Sequence, residues 1–354
     1  MKKKKSPIRP EILKIHGYSL KKQNDRIKLN QNESPYDLSS LIKDKVLEKM
    51  RESAWNRYPI PYATVLSEKI AVREGLKVEN VLVSGGSNVL IQALVAATAV
   101  KGRVMTIAPS FSLYELQGKL LGNKVTEIIL NEDFSLPTEK FLKTLKKEKP
   151  QIVFLPNPNA PTGNLFPEKD LLEIVKAAKL SQTLVVIDEA YYPFSGVTLA
   201  PQIKKYKNLV ILRTFSKAFS LGGVRLGYMI ADKSVTQEVQ KIVLPFSVGI
   251  LSQVLGEVVL DESQYVDRVV AEAISEREKI YQELSKRKDL KVYPSKTNFI
   301  LFQPKTTALF KDIQNKLSQK GIVIRDVSSK YLPRALRISV GTPEENQEFL
   351  ATFA

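Results

Sequence analysis

Short β-branched apolar runs recur along the chain and alternate with stretches of helical periodicity. The clearest runs are residues 81–83, 103–107, 152–155, 184–187 and 209–212, followed by 225–230, which contains a glycine. Near-continuous apolar strands of this kind are buried on both faces, as in a parallel sheet covered by helices. Between them, residues 89–100 and 169–180 are amphipathic, the second opened by Pro167-Glu168. The alternation predicts a large α/β domain over residues 35–245. The later chain changes character: a long helical segment, 265–288, precedes strands at 298–302, 322–325 and 336–340. That order predicts a smaller α+β domain over residues 246–354, with residues 1–34 packing against it.

Length supports two domains, because 354 residues exceed the size at which one core usually stops growing. Cysteine is absent, which excludes disulfides, thiolate metal sites and cysteine nucleophiles and fits a reducing cytoplasm. The only histidine, His16, has no ligand spacing around it, so neither a histidine metal site nor a serine–histidine triad is expected. The basic run Lys2 to Lys5 leads into Ser6-Pro7 rather than an apolar segment, unlike a secretory signal. No apolar stretch is long enough to span a bilayer, so no membrane partner is expected. The excess of 54 basic over 37 acidic residues raises the possibility of nucleic-acid binding. The lysines, however, are scattered along helical segments such as 142–149 and 285–291, without interleaved aromatics. They read as a solvated basic surface with some attraction for anionic metabolites, and no nucleic-acid partner is expected.

Polar residues collect where the apolar runs end. Residues 152–155 lead into Pro156-Asn157-Pro158-Asn159-Ala160-Pro161-Thr162-Gly163, residues 184–187 into Asp188-Glu189-Ala190-Tyr191, and residues 209–212 into Arg213-Thr214-Phe215-Ser216-Lys217. In open α/β sheets ligands bind beyond the carboxyl ends of strands. An amide, a carboxylate and a lysine delivered by three such ends match the needs of a pyridoxal 5'-phosphate ring. Its aldehyde requires an amine, which Lys217 offers, and its pyridine nitrogen requires a carboxylate, Asp188. Its phenolate oxygen requires donors, for which Tyr191 and Asn159 are placed. Its phosphate requires hydroxyls, an arginine and helix N-terminal amides, for which Thr214, Ser216, Arg225 and Gly86-Ser87-Asn88 are candidates. The Gly85-Gly86 pair alone reads equally well as an ordinary strand-to-helix turn.

The block from Ser216 to Gly227 (SKAFSLGGVRLG) resembles the cofactor-lysine signature of fold type I aminotransferases, which are pyridoxal-phosphate enzymes. More narrowly, the chain resembles the histidinol-phosphate aminotransferase family. Ile8-Arg9-Pro10-Glu11, residues 29–36 (LNQNESPY), Arg57-Tyr58-Pro59, residues 188–191 (DEAY), Ile324-Arg325-Asp326 and residues 336–342 (LRISVGT) carry that likeness almost end to end. The resemblance implies that Lys217 holds the cofactor covalently and later shuttles the substrate proton. It implies that Asp188 pairs with the ring nitrogen, Tyr191 donates to the phenolate oxygen, and Phe111 stacks on the ring. Tyr58 would reach the phosphate in the other subunit of a homodimer. Arg337 would clamp an anionic substrate, helped by Arg325 and Tyr18. Tyr114 reads as core, and Asp188-Glu189 as a poor helix cap, because Ala-Tyr-Tyr-Pro follows.

Three positions depart from the family pattern. Ala160 stands where a second asparagine is frequent, Phe111 replaces a commoner tyrosine, and Asn88-Val89 replaces a common Asp-Glu. The expected activity is transamination between histidinol phosphate and 2-oxoglutarate. The alternatives are an aromatic amino-acid aminotransferase, a threonine-phosphate decarboxylase, or a basic nucleic-acid-binding or regulatory protein on an inert fold.

Overall fold

The structure is a computed structural model that describes residues 6–15 and 26–353. The lysine run at residues 2–5, His16 and Tyr18 lie outside the described residues. The described strands are β1 (Ile27–Leu29), β2 (Val81–Ser84), β3 (Arg103–Ala108), β4 (Lys124–Ile129), β5 (Ile152–Pro156), β6 (Leu184–Asp188), β7 (Leu209–Thr214), β8 (Gly227–Ala231), β9 (Leu290–Val292), β10 (Phe299–Pro304), β11 (Ile322–Asp326) and β12 (Leu336–Ser339). They form a seven-stranded sheet, ordered β2-β8-β7-β6-β5-β3-β4, and a five-stranded sheet, ordered β1-β11-β12-β10-β9.

In the large sheet β3 to β7 run parallel, while β8 is antiparallel to both β2 and β7. Strands β2, β5, β7 and β8 are buried along their whole length. Alternate side chains go to opposite faces: Val153 and Leu155 enter one core, Ile152 and Phe154 the other. The first of these cores continues into the small sheet through Phe299, Ile300 and Ile338. Each face is thus covered, as the apolar runs require.

Three expectations need adjustment. The predicted strand at 225–230 begins only at Gly227, because Arg225 sits at φ 60° in the preceding turn. Residues 285–291 are not a helical segment: the long helix ends at Ser285, and β9 starts at Leu290. A one-turn helix, Tyr192–Ser195, does follow the DEAY segment, but its N-cap is Tyr191 and it makes no side-chain capping bond. Around the expected domain limits, β1 pairs in parallel with β11, whereas Arg9 donates to Leu120 O at the end of helix Leu113–Leu120. The helix Ile250–Asp261 packs on Ser40–Glu52 and Thr64–Glu74.

Candidate active site

Strand register explains why the candidate residues meet. Gly227 lies opposite Ser84 on one side and Thr214 on the other. The turn after β2, the turn after β7 and Arg225 therefore converge at the start of β8. A Cβ at Gly227 would sit 2.2 Å from the Ser87 backbone nitrogen, so only glycine permits this approach. Gly86 has φ 104°, caps the helix Ser87–Thr98, and a Cβ on it would lie 2.8 Å from Arg225 Nη2. Arg225 itself donates to Gly222 O at 2.9 Å and to Ser216 Oγ at 3.3 Å. A guanidinium, a serine hydroxyl and helix N-terminal amides thus surround a cradle that a side chain at residue 86 would fill. That composition suits a phosphate. Thr214 and Asn88 contribute less directly. The Thr214 hydroxyl bonds Leu226 O and accepts from Ser216 N, and Asn88 is exposed in the first helical turn.

Lys217 follows β7 and is half-buried, its ammonium donating to Gln31 O at 2.8 Å. Burial, reinforced by Arg337 and Arg225, lowers its pKa from 10.5 to about 7. A neutral amine is the nucleophile, so the rate at which the cofactor-free protein captures added pyridoxal phosphate should rise through about pH 7 and then level off. Stopped-flow absorbance from pH 5 to 10 checks this; a rate still climbing near pH 10 contradicts it.

Asp188 ends β6 and is buried, with Oδ2 accepting from Tyr114 Oη at 2.8 Å and Oδ1 from Ala190 N at 3.1 Å. Burial raises its pKa to about 6 in spite of those two donors. Tyr114, read from sequence as core, is fully buried, but it is also the residue that holds this carboxylate. Its ring stacks on Phe154 with centroids 4.9 Å apart and meets Phe111 edge-on at 5.6 Å. Phe111 is partly exposed above it.

Tyr191 accepts a bond at Oη from Asn32 Nδ2 at 2.8 Å and packs edge-on against Phe299. Burial raises its pKa, against the pull of Arg337 and Asn32. Asn159 donates from Nδ2 to Pro109 O and Thr162 Oγ1, and its Oδ1 accepts from Ser110 Oγ. From the small sheet, Arg325 and Arg337 lie directly opposite each other on β11 and β12. Arg337 donates to Asn30 O and lies over the Phe299 ring. Tyr58 is not brought in: it is 83% exposed and stacks on Phe246 at 4.8 Å.

A buried ion pair that sequence reasoning missed ties two of these strand ends together. Arg213, next to Thr214, donates through Nε and Nη2 to Glu189 Oε2 at 3.1 and 3.0 Å and also pairs with Glu74. Thr198 and the Tyr192 ring complete its surroundings. Removing one partner of such a pair strands the other charge. Arg213→Met is expected to cost about 3–5 kcal/mol of stability, read as a fall in the urea midpoint.

The amine, the buried carboxylate, the tyrosine and the phosphate-suited cradle together are the set of groups a pyridoxal-phosphate transferase needs. The sequence profile of the aminotransferase class I and II family matches residues 24–353, and the chain belongs to that family. Within it the chain belongs with the histidinol-phosphate aminotransferases. The relative so named from Clostridium novyi is 36% identical over 97% of this chain and 95% of its own length. The one from Pyrococcus furiosus is 37% identical over 96% and 95%. Among solved structures, the histidinol-phosphate aminotransferase of Sinorhizobium meliloti in complex with pyridoxal-5'-phosphate superposes with a TM-score of 0.89 at 22% identity, over 98% of this chain and 96% of that one. The L-threonine-O-3-phosphate decarboxylase of Porphyromonas gingivalis shares the fold at a TM-score of 0.80 and 23% identity, over 92% and 98%.

Proposed function

We propose that the protein transfers an amino group from L-histidinol phosphate to 2-oxoglutarate, giving imidazole-acetol phosphate and glutamate, with pyridoxal 5'-phosphate as cofactor. The observation that carries the substrate choice is the cross-strand pair Arg325 and Arg337. Like charges directly opposite each other destabilise a sheet, and a phosphate or a carboxylate between them offsets that cost. One anion clamp then serves the phosphate of one substrate and a carboxylate of the other. Tyr18 would help at the substrate phosphate.

Bound pyridoxal phosphate supplies an aldehyde for amine capture and a ring that takes up the electron pair released at the substrate carbon. Lys217 would hold the cofactor and move a proton at Nζ. Asp188 holds the pyridine nitrogen protonated, and Tyr191 with Asn159 serves the phenolate oxygen. Phe111 covers the ring face and excludes water from it. Arg225, Ser216, Thr214 and the Gly86-Ser87-Asn88 amides bind the phosphate.

Tyr58 completes the same phosphate site in a second copy of the chain. It is exposed and stacks on Phe246, and Trp55, Leu244 and Leu251 are further exposed apolar side chains. A homodimer that buries Tyr58 is the assembly we infer, and the cytoplasm the compartment. Among the described residues no helix is long and apolar enough to cross a membrane.

Incubation with histidinol phosphate and 2-oxoglutarate, followed by glutamate measurement, tests the reading. Glutamate from an aromatic amino acid but none from histidinol phosphate, or release of CO₂ from threonine phosphate, would replace it.

A further inference from the structure

We propose that Asn32 sets the direction of the Tyr191 hydroxyl proton, turning it away from the protein and toward the cofactor's phenolate oxygen. The proposal rests on the cofactor reading above and adds a positioning residue to it. Asn32 lies in the turn after β1 at φ 55°, a left-handed conformation that asparagine tolerates better than most residues. It is 1% exposed. Three hydrogen bonds hold it. Its backbone N–H donates to Ser339 Oγ at 2.7 Å, its carbonyl accepts from Asn298 Nδ2 at 3.1 Å, and its Oδ1 accepts from Ser339 Oγ at 3.1 Å.

The partners of Ser339 and Asn32 then set the polarity of the chain. A serine hydroxyl has one proton. Ser339 Oγ receives the Asn32 backbone N–H on one of its two lone pairs and donates its proton to Asn32 Oδ1. The side-chain amide is therefore oriented with Nδ2 toward Tyr191 Oη, 2.8 Å away. An amide nitrogen donates and does not accept. Tyr191 must accept at this contact, and its own proton has to point elsewhere. The ring is fixed edge-on against Phe299, so the hydroxyl cannot swing to a new position. Accepting one bond also strengthens the bond a hydroxyl donates. Asn32 thus prepares Tyr191 as a donor before the cofactor arrives.

The pH midpoint of the bound cofactor's visible absorption band reports this directly. A donor at the phenolate oxygen draws off the negative charge that helps retain the neighbouring nitrogen's proton. Losing that donor moves the midpoint to higher pH. Tyr191→Phe should raise it by about 1–2 units, the worth of a hydrogen bond to a charged group. Asn32→Ala should raise it by a fraction of that, and should have no further effect in the Tyr191→Phe background. Ser339→Ala, which leaves Asn32 in place but frees its amide to turn, should act in the same direction and keeps the test available if Asn32→Ala does not fold.

An unchanged midpoint in Asn32→Ala or Ser339→Ala, or an equal shift with and without Tyr191, overturns the proposal while leaving the cofactor reading intact. A Tyr191→Phe protein with the wild-type midpoint overturns the assigned role of Tyr191 as well. No visible band in the reconstituted wild-type protein removes both.

Discussion

Replacing Lys217 with alanine lowers transamination by about 10⁴-fold, the upper range for a single positioned acid–base group, and leaves the cofactor removable by dialysis. Both effects follow from one amine. Nζ is the group we assign to capture the aldehyde, and its pKa of about 7 lets it both take and return a proton near neutral pH. Burial with Arg337 and Arg225 nearby disfavours the ammonium, so the wild-type amine is substantially neutral under working conditions. Single-turnover kinetics with histidinol phosphate measure the loss. A variant that keeps wild-type rates and a borohydride-stable label would remove Lys217 from its assigned role.

Asp188→Asn is expected to reduce the rate and stabilise the cofactor-free protein at the same time. Breaking a buried ion pair by removing one partner costs about 3–5 kcal/mol, which is about 10²–10⁴ in rate if the charge on the ring nitrogen is fully needed in the transition state. Stability moves the other way. The folded pKa is raised from 3.8 to about 6, so the cofactor-free fold favours the neutral acid. That contribution is fully present below pH 3.8 and is lost as pH rises through 6. Above that, a buried carboxylate weighs against folding by up to roughly 3 kcal/mol. Asparagine carries no such charge and can still accept from Tyr114. Melting of the cofactor-free proteins should therefore show a gain for Asp188→Asn at pH 8 that disappears near pH 4. A variant that is less stable at both pH values would show that the carboxylate is not under strain.

Much of this arrangement is legible in the amino-acid pattern because the central strands are buried on both faces. Residues 152–155, 184–187 and 209–212 are unbroken apolar runs for that reason, and the polar residue ending each one marks the site. Strand β4 is harder to see. At the sheet's edge its residues are mostly half-buried or exposed, and Lys124, Thr126 and Glu127 interrupt the apolar signal. The start of β8 is misplaced because Arg225 takes a positive φ and Gly227 lies against Ser87, a contact between distant segments. Tyr114 looks like core because it is core; its bond to Asp188 spans 74 positions and leaves no local trace. The Arg213–Glu189 pair and the Asn32–Tyr191 contact are hidden for the same reason. Tyr58 has no signal beyond the resemblance, and the chain leaves it exposed.

Strand β1 pairs with β11, Ile27 lying opposite Ile322, so its partner comes from a segment far along the chain. Until β11 is in place this edge lacks its partner, and closing so long a loop is slow. The turn that follows β1 carries Gln31 to the lysine and Asn32 to the tyrosine. The large sheet, whose strands lie within residues 81–231, can thus form before β1 is paired, and capacity to bind the coenzyme should appear late during refolding.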